Sequence, residues 1–219
     1  KTLWDVLPPK IAETGFEEIK AALKNNSLES FQYEIDTQLG KKYYELRIVK
    51  CRENEVIAIS RDITDERKNQ KKIEFLSYND QLTGLYNRRF FEEELERLNN
   101  KENLPLTIVM ADVNGLKLIN DSFGHAAGDE LLKKVSAVML NACSDKGIIS
   151  RVGGDEFVIL LPKTNELEAD KILKRISKLA SKEKVESINL SISFGFAAKY
   201  RDEEGVFEVL KKAEDFMYK

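Results

Sequence analysis

The sequence has few of the residues that build several common functional sites. Its 219 residues include one histidine, His125, and two cysteines, Cys51 and Cys143, far apart along the chain. The single histidine excludes a histidine-rich zinc site, an HExxH protease motif and a relay of two histidines. The cysteines form neither a CxxC motif nor a disulfide framework, which is typical of a reducing cytosol. Any bound metal is therefore expected to have oxygen ligands, which favours magnesium, calcium or manganese.

Long hydrophobic runs and an excess of positive charge are also absent. No apolar run approaches the roughly 20 residues that a membrane-spanning helix needs. The 35 basic and 38 acidic side chains leave a net charge of −3, whereas a protein that coats a nucleic-acid duplex needs a basic surface. We therefore expect no membrane segment and no nucleic-acid partner. The length corresponds to between one and two domains at about 150 residues each, and a first residue other than Met predicts a piece of a longer protein.

The first part of the chain is predicted to be a helix followed by a small sheet. Residues 1–30 place apolar side chains at near-helical spacing. Two segments then alternate apolar and polar residues, and the apolar run Val56–Ile59 follows as a third predicted strand. The short turns between them predict an antiparallel meander. The charged stretch from Asp62 to Lys72 predicts an exposed helix. That helix is either a solvated linker or a dimerising helix. Ile73 and Leu76, three residues apart, have the spacing of a coiled-coil heptad, but no further apolar residues continue it towards the N-terminus.

Residues 78–219 alternate predicted strands and helices. The apolar run Leu106–Ala111 predicts a buried central strand. Helices are predicted at 90–98, 116–121, 129–142, 166–179 and 206–218, and further strands at 148–152, 157–161 and 188–197. The pattern predicts a fold of mixed α and β structure, α/β in the broad sense and α+β in the narrower one, in which helices flank a mixed sheet.

A hairpin carries the clearest chemical signal. Gly153 and Gly154 separate two predicted strands, and they favour a tight turn because both can adopt positive φ at little steric cost. Their bare backbone also lets a ligand approach closely. Asp155 and Glu156 follow at once and project from a rigid element, which positions a metal site well. The alternative is that these two carboxylates only keep the tip of the hairpin soluble.

A second source of carboxylate lies at Asp112, directly after the buried run. Ligand sites of open α/β sheets favour strand ends, although Asp112 taken alone is better explained as a helix cap. Taken together with Asp155 and Glu156, it predicts a magnesium site. Magnesium takes one or two protein carboxylates and leaves positions for water and phosphate.

The segment after Asp112 adds groups suited to a nucleotide. Gly115 opens a predicted helix, where backbone N–H groups bind anions, and Lys117 adds a positive charge. Asn120 and Asp129 could together read a guanine edge, because a carboxylate accepts from the N1–H and the N2 amine. Each also has a plain structural explanation, as a helix cap for Asn120 and Asp129 and as a solvated side chain for Lys117.

These residues resemble the motifs of the GGDEF family, the diguanylate cyclases. Residues 80–89 resemble the family's opening motif, 112–129 its substrate segment, 153–157 its signature and 213–218 its closing helix. The resemblance implies that two GTP molecules condense into cyclic di-GMP and release two pyrophosphates. Each 3′-hydroxyl attacks the α-phosphate of the other GTP. One subunit holds one GTP, so the resemblance also implies a homodimer.

The resemblance assigns a role to each matching residue. It implies that Mg²⁺ or Mn²⁺ is bound by the side chains of Asp112 and Asp155 and by the carbonyl of Val113. Glu156 is another candidate ligand, or helps to deprotonate the 3′-hydroxyl, so Asp155 and Glu156 are the expected catalytic pair. The expected substrate-binding residues are Gly115, Leu116, Lys117, Asn120, His125, Asp129, Gly153 and Gly154. Asp80 and Arg88 are expected to be structural.

Three departures from the family pattern change these expectations. Asn114 stands where the family often has a second Asp, which removes one negative charge. The Arg-x-x-Asp motif of the inhibitory product site is replaced by Ser144 and Gly147, so we predict no such site and no product inhibition there. The family's closing helix usually continues with two more basic residues that hold phosphate, and this chain ends at Lys219. We therefore expect part of the triphosphate grip to be missing.

The N-terminal part resembles the C-terminal part of a PAS sensor domain. The meander and the ending Ile59–Thr64 carry this resemblance. We predict a partial PAS domain at 1–64, a linker helix at 65–77 and the cyclase domain at 78–219. No histidine precedes His125, so this part supplies no histidine ligand to haem. The expected location is the bacterial cytoplasm, with further sensor modules upstream and with membrane attachment of the full-length protein left open.

Two other functions remain open at this stage. A GGDEF domain that binds GTP or cyclic di-GMP without turnover is the main alternative to the enzyme. The unbroken Gly153–Phe157 motif favours turnover, because inactive domains usually have a broken motif. A cyclase that makes a mixed dinucleotide is disfavoured by Asp129 at the guanine position.

Overall fold

The computed structural model describes residues 2–38, 40–143 and 146–217. The chain forms two compact units, residues 1–74 and residues 75–219. Each unit has its own sheet and its own buried core. No helix of the described residues is long and apolar enough to cross a bilayer.

The N-terminal unit is a helix packed on one face of a three-stranded sheet. Its elements are α1 (Pro9–Asn25), β1 (Glu29–Thr37), β2 (Gly40–Arg52), β3 (Glu55–Asp62) and the first part of α2 (Thr64–Tyr78). The sheet order β1-β2-β3 is antiparallel throughout, as the alternating segments predict. Its core contains Ala22, Leu46 and Ile48. On β2 and β3, Val49, Ile57 and Ile59 are exposed, so this sheet buries side chains mainly on one face.

The change from strand to helix after β3 has a local cause. The N–H of Thr64 donates to Oδ1 of Asp62 at 2.9 Å, and the buried Thr64 hydroxyl accepts from the N–H of Tyr43 at 3.0 Å. Hydrogen bonds from Thr64, aided by Lys42, lower the pKa of Asp62 to about 2. An ionised side chain that accepts from the first turn starts a helix. The Asp-Ile-Thr sequence therefore marks the point at which β3 passes into α2.

The C-terminal unit alternates strands and helices. Its elements are β4 (Tyr86–Asn87), α3 (Arg88–Leu98), β5 (Leu106–Val113), α4 (Leu116–Phe123), α5 (His125–Cys143), β6 (Ile148–Arg151), β7 (Glu156–Leu161), α6 (Glu166–Ala180), β8 (Lys184–Val185), β9 (Ile188–Asn189), β10 (Ile192–Lys199) and α7 (Val206–Met217). The main sheet has the order β10-β5-β7-β6-β4. Only β4 and β6 pair in parallel, and the other neighbours are antiparallel. The predicted mixed sheet flanked by helices is confirmed.

The core lies on both faces of this sheet. Alternate residues of β5 point to opposite sides, so Val109 and Ala111 join the cluster that includes residues of α4, α5 and α6. Ile108 and Met110 join the cluster with α3 and α7. Continuing the alternation places Asp112 on the side of α3 and α7. The buried strand thus carries a carboxylate to the edge of an apolar layer.

The helix predicted within residues 1–30 is limited to Pro9–Asn25, and two predicted boundaries near the site are also wrong. The helix predicted to begin at Asp129 begins at His125, since nothing in between breaks it and Gly128 packs against Asn120 of α4. The strand predicted at 188–197 is divided. Leu190 donates to the carbonyl of Glu183, and the carbonyl of Ser191 accepts from Asn114, so these residues carry the chain from the β8–β9 hairpin to β10.

Candidate functional site

Three carboxylates lie close together where β5 ends and β7 begins. Asp112 on β5 is directly opposite Glu156 on β7, and side chains opposite each other in an antiparallel pair have β-carbons about 5 Å apart. The N–H of Val113 donates to the carbonyl of Asp155 at 3.0 Å, which holds the hairpin loop against the end of β5. The structure therefore brings together Asp112, Val113, Asp155 and Glu156, as the sequence predicts.

The electrostatics of this edge favour a bound cation. Burial raises the pKa of Asp112, and the charges of Asp155 and Glu156 raise it further. None of these carboxylates has an ion-pair partner among the described residues. Like charges placed opposite one another cost free energy unless a cation lies between them. An all-oxygen set of this charge fits Mg²⁺ or Mn²⁺.

The carboxylates do not close into a complete metal centre. Within residues 2–38, 40–143 and 146–217, no three His, Cys, Asp or Glu side chains are arranged to hold a metal ion. The Glu156 side chain folds back over Gly153 and borders a cavity of 170 Å³ together with Arg88 and Glu214. The protein thus offers a partial ligand set, which leaves positions for substrate and water, as magnesium sites usually do.

The loop between β6 and β7 is longer than the predicted tight turn. β6 ends at Arg151 and β7 begins at Glu156, and neither Gly153 nor Gly154 has a positive φ. The predicted reason for the two glycines is therefore wrong, because a four-residue loop needs no mirror-image turn. A β-carbon on Gly153 would lie 2.5 Å from Oε2 of Glu156, whereas nothing lies within 4 Å at Gly154. Gly153 leaves room for Glu156, and Gly154 leaves open space beside Asp155.

The start of α4 has the geometry expected of an anion site. Gly115 is the N-cap residue, with φ of 82° and no side-chain capping bond, so Asp112 is not the helix cap considered above. Nothing lies within 4 Å of the position of a β-carbon on Gly115. Lys117 is exposed in the first turn, and Leu116 packs partly into the core. The open space beside Gly115 at the start of this helix is consistent with the predicted phosphate contact.

The predicted guanine-reading residues lie on two packed helices. Asn120 of α4 contacts Gly128 of α5, where a β-carbon would overlap its side-chain oxygen. Asp129, the next residue along α5, is exposed. The side chains of Asn120, His125 and Asp129 have no hydrogen-bond or ion-pair partner in the described part of the chain. They cap no helix, so their polar atoms are available to a ligand.

Asn114 has a structural role that the sequence does not reveal. Its side-chain amide donates to Oγ of Ser191 at 3.1 Å, and its carbonyl oxygen accepts from Oγ of Ser193 at 3.1 Å. Ser193 is opposite Asp112 in the pairing of β10 with β5. Asn114 therefore fixes the turn after Asp112 to β10. The one sequence feature that hints at this role is that Ser191 and Ser193 lie two residues apart in the predicted strand 188–197, which places both hydroxyls on the same side.

The expected position of the product site is only partly described. Ser144 lies outside the described residues, as do Tyr218, the last residue of the predicted closing helix, and Lys219. At Gly147 a β-carbon would lie 3.0 Å from Leu161 and 3.1 Å from Ile159. A side chain at this position would need neighbouring residues to shift, so Gly147 is a packing residue of this fold.

Comparisons with known proteins place this site in a family. The family model described as diguanylate cyclase, GGDEF domain, matches residues 77–219. The chain belongs to the GGDEF family. This confirms the resemblance drawn from the hairpin and the substrate segment.

Relatives of this GGDEF chain carry different names. The signaling protein YkoW of Bacillus subtilis (strain 168) is 30% identical over 215 residues, 93% of this chain and 26% of YkoW. The cyclic di-GMP phosphodiesterase PdeR of Escherichia coli (strain K12) is 31% identical over 172 residues, 75% of this chain and 26% of PdeR. The chain spans about a quarter of each of these relatives.

A solved structure agrees with the fold. The diguanylate cyclase SiaD of Pseudomonas aeruginosa, in complex with its activator SiaC, is 27% identical with a TM-score of 0.61. The match covers 70% of this chain and 62% of SiaD. The fold and the family are thus shown for the C-terminal unit, and the PAS assignment of residues 1–64 stays a prediction.

Sequence reasoning missed one residue that contacts the hairpin. Arg151 lies two residues before Gly153 and donates hydrogen bonds both to Asp80 and to the carbonyl of Gly154. Asp80 and Arg88 were expected to be structural without a stated contact. An arginine beside a glycine-rich loop and an acid in the opening motif were visible in the sequence, but no spacing rule pairs residues that are 71 positions apart.

Proposed function

We propose that this chain is a diguanylate cyclase that condenses two GTP molecules into cyclic di-GMP. The observation that carries the proposal is the group of three uncompensated carboxylates at the edge of β5 and β7, Asp112, Asp155 and Glu156. Uncompensated negative charge of this kind would favour a bound cation, which suits a reaction on a triphosphate. Membership of the GGDEF family supports GTP as the substrate.

In the proposed reaction, the 3′-hydroxyl of each GTP attacks the α-phosphate of the other. Two ribose O–P bonds form, two bonds to pyrophosphate break, and two protons leave the hydroxyls. The side chains of Asp112 and Asp155 and the carbonyl of Val113 would hold Mg²⁺ or Mn²⁺, with Glu156 as a further ligand or as the proton acceptor. The bound metal would neutralise phosphate charge and lower the pKa of the attacking hydroxyl.

The remaining residues would bind and orient the nucleotide. Asp129 is exposed and Asn120 is half-buried against Gly128. Neither side chain has a hydrogen-bond partner among the described residues, and both would bind the guanine edge through carboxylate and amide groups. Lys117 and the backbone at Gly115 and Leu116 would contact phosphate, and the bare backbone of Gly153 and Gly154 would lie close to it. His125 begins α5 beside this segment and is proposed as a further substrate contact.

The reaction requires two copies of the chain. One unit offers one set of these groups, whereas the product contains two nucleotides, so two sites would face each other about a two-fold axis. Activity would then depend on how two subunits are placed. We propose that the predicted PAS part and α2, with any further sensor modules, control that placement in the bacterial cytoplasm.

Product formation tests the proposal directly. The protein is incubated with GTP and magnesium, and the products are separated by chromatography. We expect cyclic di-GMP and pyrophosphate in a ratio of one to two. Asp155→Ala should abolish both products while the thermal unfolding curve stays close to that of the unchanged protein.

A binding module without turnover is the second candidate. One observation favours it: the relative PdeR is named for phosphodiesterase activity rather than for cyclase activity. A dimeric protein that binds GTP or cyclic di-GMP but forms no product would establish this function and contradict the cyclase proposal.

A further inference from the structure

Arg151 joins the hairpin loop to a distant part of the C-terminal unit. Its Nε and Nη2 donate to the carbonyl of Gly154 at 3.2 and 2.7 Å. Its Nη1 donates to Oδ1 and Oδ2 of Asp80 at 3.1 and 3.3 Å. The side chain is only 14% exposed. A planar guanidinium is one of the few groups able to hold two acceptors in fixed directions at once.

Asp80 is itself held firmly. One carboxylate oxygen accepts from both the N–H and the hydroxyl of Thr83, at 2.9 and 2.6 Å. Burial alone would raise the pKa of Asp80, but the hydrogen bonds from Thr83 and the charge of Arg151 outweigh it and hold this pKa below its usual value. Asp80 therefore stays ionised and offers Arg151 a rigid anchor.

A second arginine holds the other end of the loop. Nε of Arg88 donates to the carbonyl of Val152 at 2.9 Å. Arg88 follows Asn87, whose side chain caps α3 through the N–H of Phe90 and also donates to the carbonyl of Ser77 in α2. The carbonyls of Val152 and Gly154, on either side of this glycine pair, are thus both held by arginines. Arg88 donates to the first carbonyl and Arg151 to the second.

This arrangement matters because the loop is weak by itself. Two consecutive glycines have more conformational freedom than other residues, yet the next residue, Asp155, must be placed accurately if it binds a metal. The carbonyl that Arg151 holds belongs to the peptide that leads directly into Asp155. Fixing that peptide fixes the start of the Asp155 side chain.

We propose that Arg151, anchored by Asp80, is a positioning residue that sets the place of Asp155 for cation binding and turnover. The inference rests on the proposed function, in which Asp155 is a metal ligand. It also makes the site depend on the segment that directly follows α2. A shift of residues 77–88 would reach Asp155 through Arg151 and Arg88.

Conservative variants test this role. Arg151→Lys keeps the charge but cannot hold both acceptors, and Asp80→Asn keeps the contacts to Thr83 but loses the charge that anchors Arg151. Arg97→Lys is the matched control, because Arg97 makes a two-point ion pair with Glu94 on the exposed surface of α3. Each variant is measured for kcat, for the KM of GTP, for Mn²⁺ binding by electron paramagnetic resonance and for thermal unfolding.

We expect Arg151→Lys to lower kcat about 10- to 100-fold, since a misplacement of about 1 Å has effects of this size. Mn²⁺ binding should weaken several-fold while the KM of GTP changes less than about threefold. Asp80→Asn should act in the same direction with a smaller effect, and the double variant should lose less than the product of the two single losses. Arg97→Lys should match the unchanged protein in every measurement.

Two results would overturn the inference. One is that the protein without substitutions makes cyclic di-GMP and that Arg151→Lys has the same kcat and the same Mn²⁺ affinity as that protein. The other is a loss of activity that only follows the fraction unfolded, with Mn²⁺ binding per folded molecule unaltered. If the unchanged protein forms no product, the proposed function fails, and Mn²⁺ binding still decides whether Arg151 positions Asp155.

Discussion

The two sides of the candidate site differ in how their groups are held. The hairpin side, residues 152–156, is fixed by arginines at two carbonyls and by main-chain hydrogen bonds to β5. On the helix side, residues 115–129, the side chains of Lys117, Asn120, His125 and Asp129 have no partner within the described residues. Groups that bind a cation need accurate placement, whereas polar side chains without an internal partner are available to bind a ligand. The difference predicts that substitutions on the two sides change different kinetic constants.

The largest effect is expected on the cation side. Asp112→Asn keeps the size of the side chain but removes one of the carboxylate charges that would hold the metal. We expect kcat to fall at least about 100-fold, as loss of a group that supports a catalytic metal usually does. Initial rates of cyclic di-GMP formation at saturating GTP and magnesium measure this.

Asp202→Asn is the control for Asp112→Asn. Asp202 is an acidic residue whose contact with Lys101, at 3.8 Å, is remote from the hairpin in sequence and lies at the surface. Its activity should stay within about twofold of the unchanged protein, as surface substitutions usually do. Equal kcat for Asp112→Asn and the unchanged protein would contradict a metal-binding role for Asp112.

The helix side is expected to control substrate affinity and base selection. Asp129→Asn and Asn120→Ala remove hydrogen bonds that would be made to guanine. We expect the KM of GTP to rise about 10- to 100-fold, because each lost hydrogen bond to a substrate edge costs about 1–3 kcal/mol. The preference for GTP over ATP should fall by a similar factor, while kcat changes less.

Glu130→Gln is the matched control on the same helix. Glu130 is next to Asp129 and pairs with Lys134 at 3.0 Å, so it has an internal partner and no proposed contact with guanine. Steady-state rates over a range of GTP and ATP concentrations separate the two cases. A fall in kcat at unchanged KM for Asp129→Asn would show that the two sides are not functionally distinct.

The carboxylates should also destabilise the metal-free protein. The pKa of Asp112 is raised by burial and by the charges of Asp155 and Glu156, so the folded protein binds this proton more tightly than the unfolded chain. The stability contributed by Asp112 therefore increases as the pH falls through its raised pKa towards about 4, the value in an unfolded chain. At neutral pH, Asp112→Asn should raise the unfolding temperature by about 1–3 °C.

This stability effect should depend on pH and on metal. Well below about pH 4 the carboxyl is protonated in both the folded and the unfolded state, and the difference between Asp112→Asn and the unchanged protein should disappear. Added magnesium with a GTP analogue should stabilise only the unchanged protein. A lower unfolding temperature for Asp112→Asn at neutral pH without metal would contradict the raised pKa. The calorimetric comparison uses Asp202→Asn as its reference.

Much of the C-terminal fold was predictable because its patterns are local. The buried run before Asp112, the helical spacing in α5 and the hairpin around Gly153 each predict one element of the correct type. The antiparallel meander of the first unit was predictable for the same reason. The prediction is wrong at the start of α5 and in the predicted strand 188–197, which the structure divides. The first error depends on packing between helices, and the second depends on contacts with distant loops.

The residues of the candidate site could be predicted from the sequence, but the contacts that hold these residues in place could not. Asp112 and Asp155 follow from strand ends and from a glycine-rich loop. The support from Arg151 and from Ser193 depends on contacts between segments about 70 to 80 residues apart, and such contacts have no sequence period. The predicted reason for the two glycines is wrong because neither has a positive φ, and Gly153 instead lies against the Glu156 side chain.

The smallest effect is expected just below the hairpin side. Ser150 on β6 is 1% exposed, and its hydroxyl is buried without a hydrogen-bond partner. A buried polar group without a partner costs free energy that its removal recovers. Ser150→Ala should therefore leave stability unchanged or raise it by up to about 1 kcal/mol, with activity within about twofold, because the arginine contacts to Val152 and Gly154 are made by main-chain carbonyls and remain.

Thr107→Val is the matched control for Ser150→Ala, since Thr107 is also a buried hydroxyl on a strand of this sheet but donates to the carbonyl of Thr164 at 2.7 Å. Its loss leaves that carbonyl unpaired and should cost about 1–2 kcal/mol. Denaturant unfolding of both variants measures the contrast. A destabilised Ser150→Ala variant with reduced kcat would show that the hydroxyl has a partner and that β6 supports the hairpin through side chains as well. The fixed placement of Asp155 would then depend on more than the two arginines.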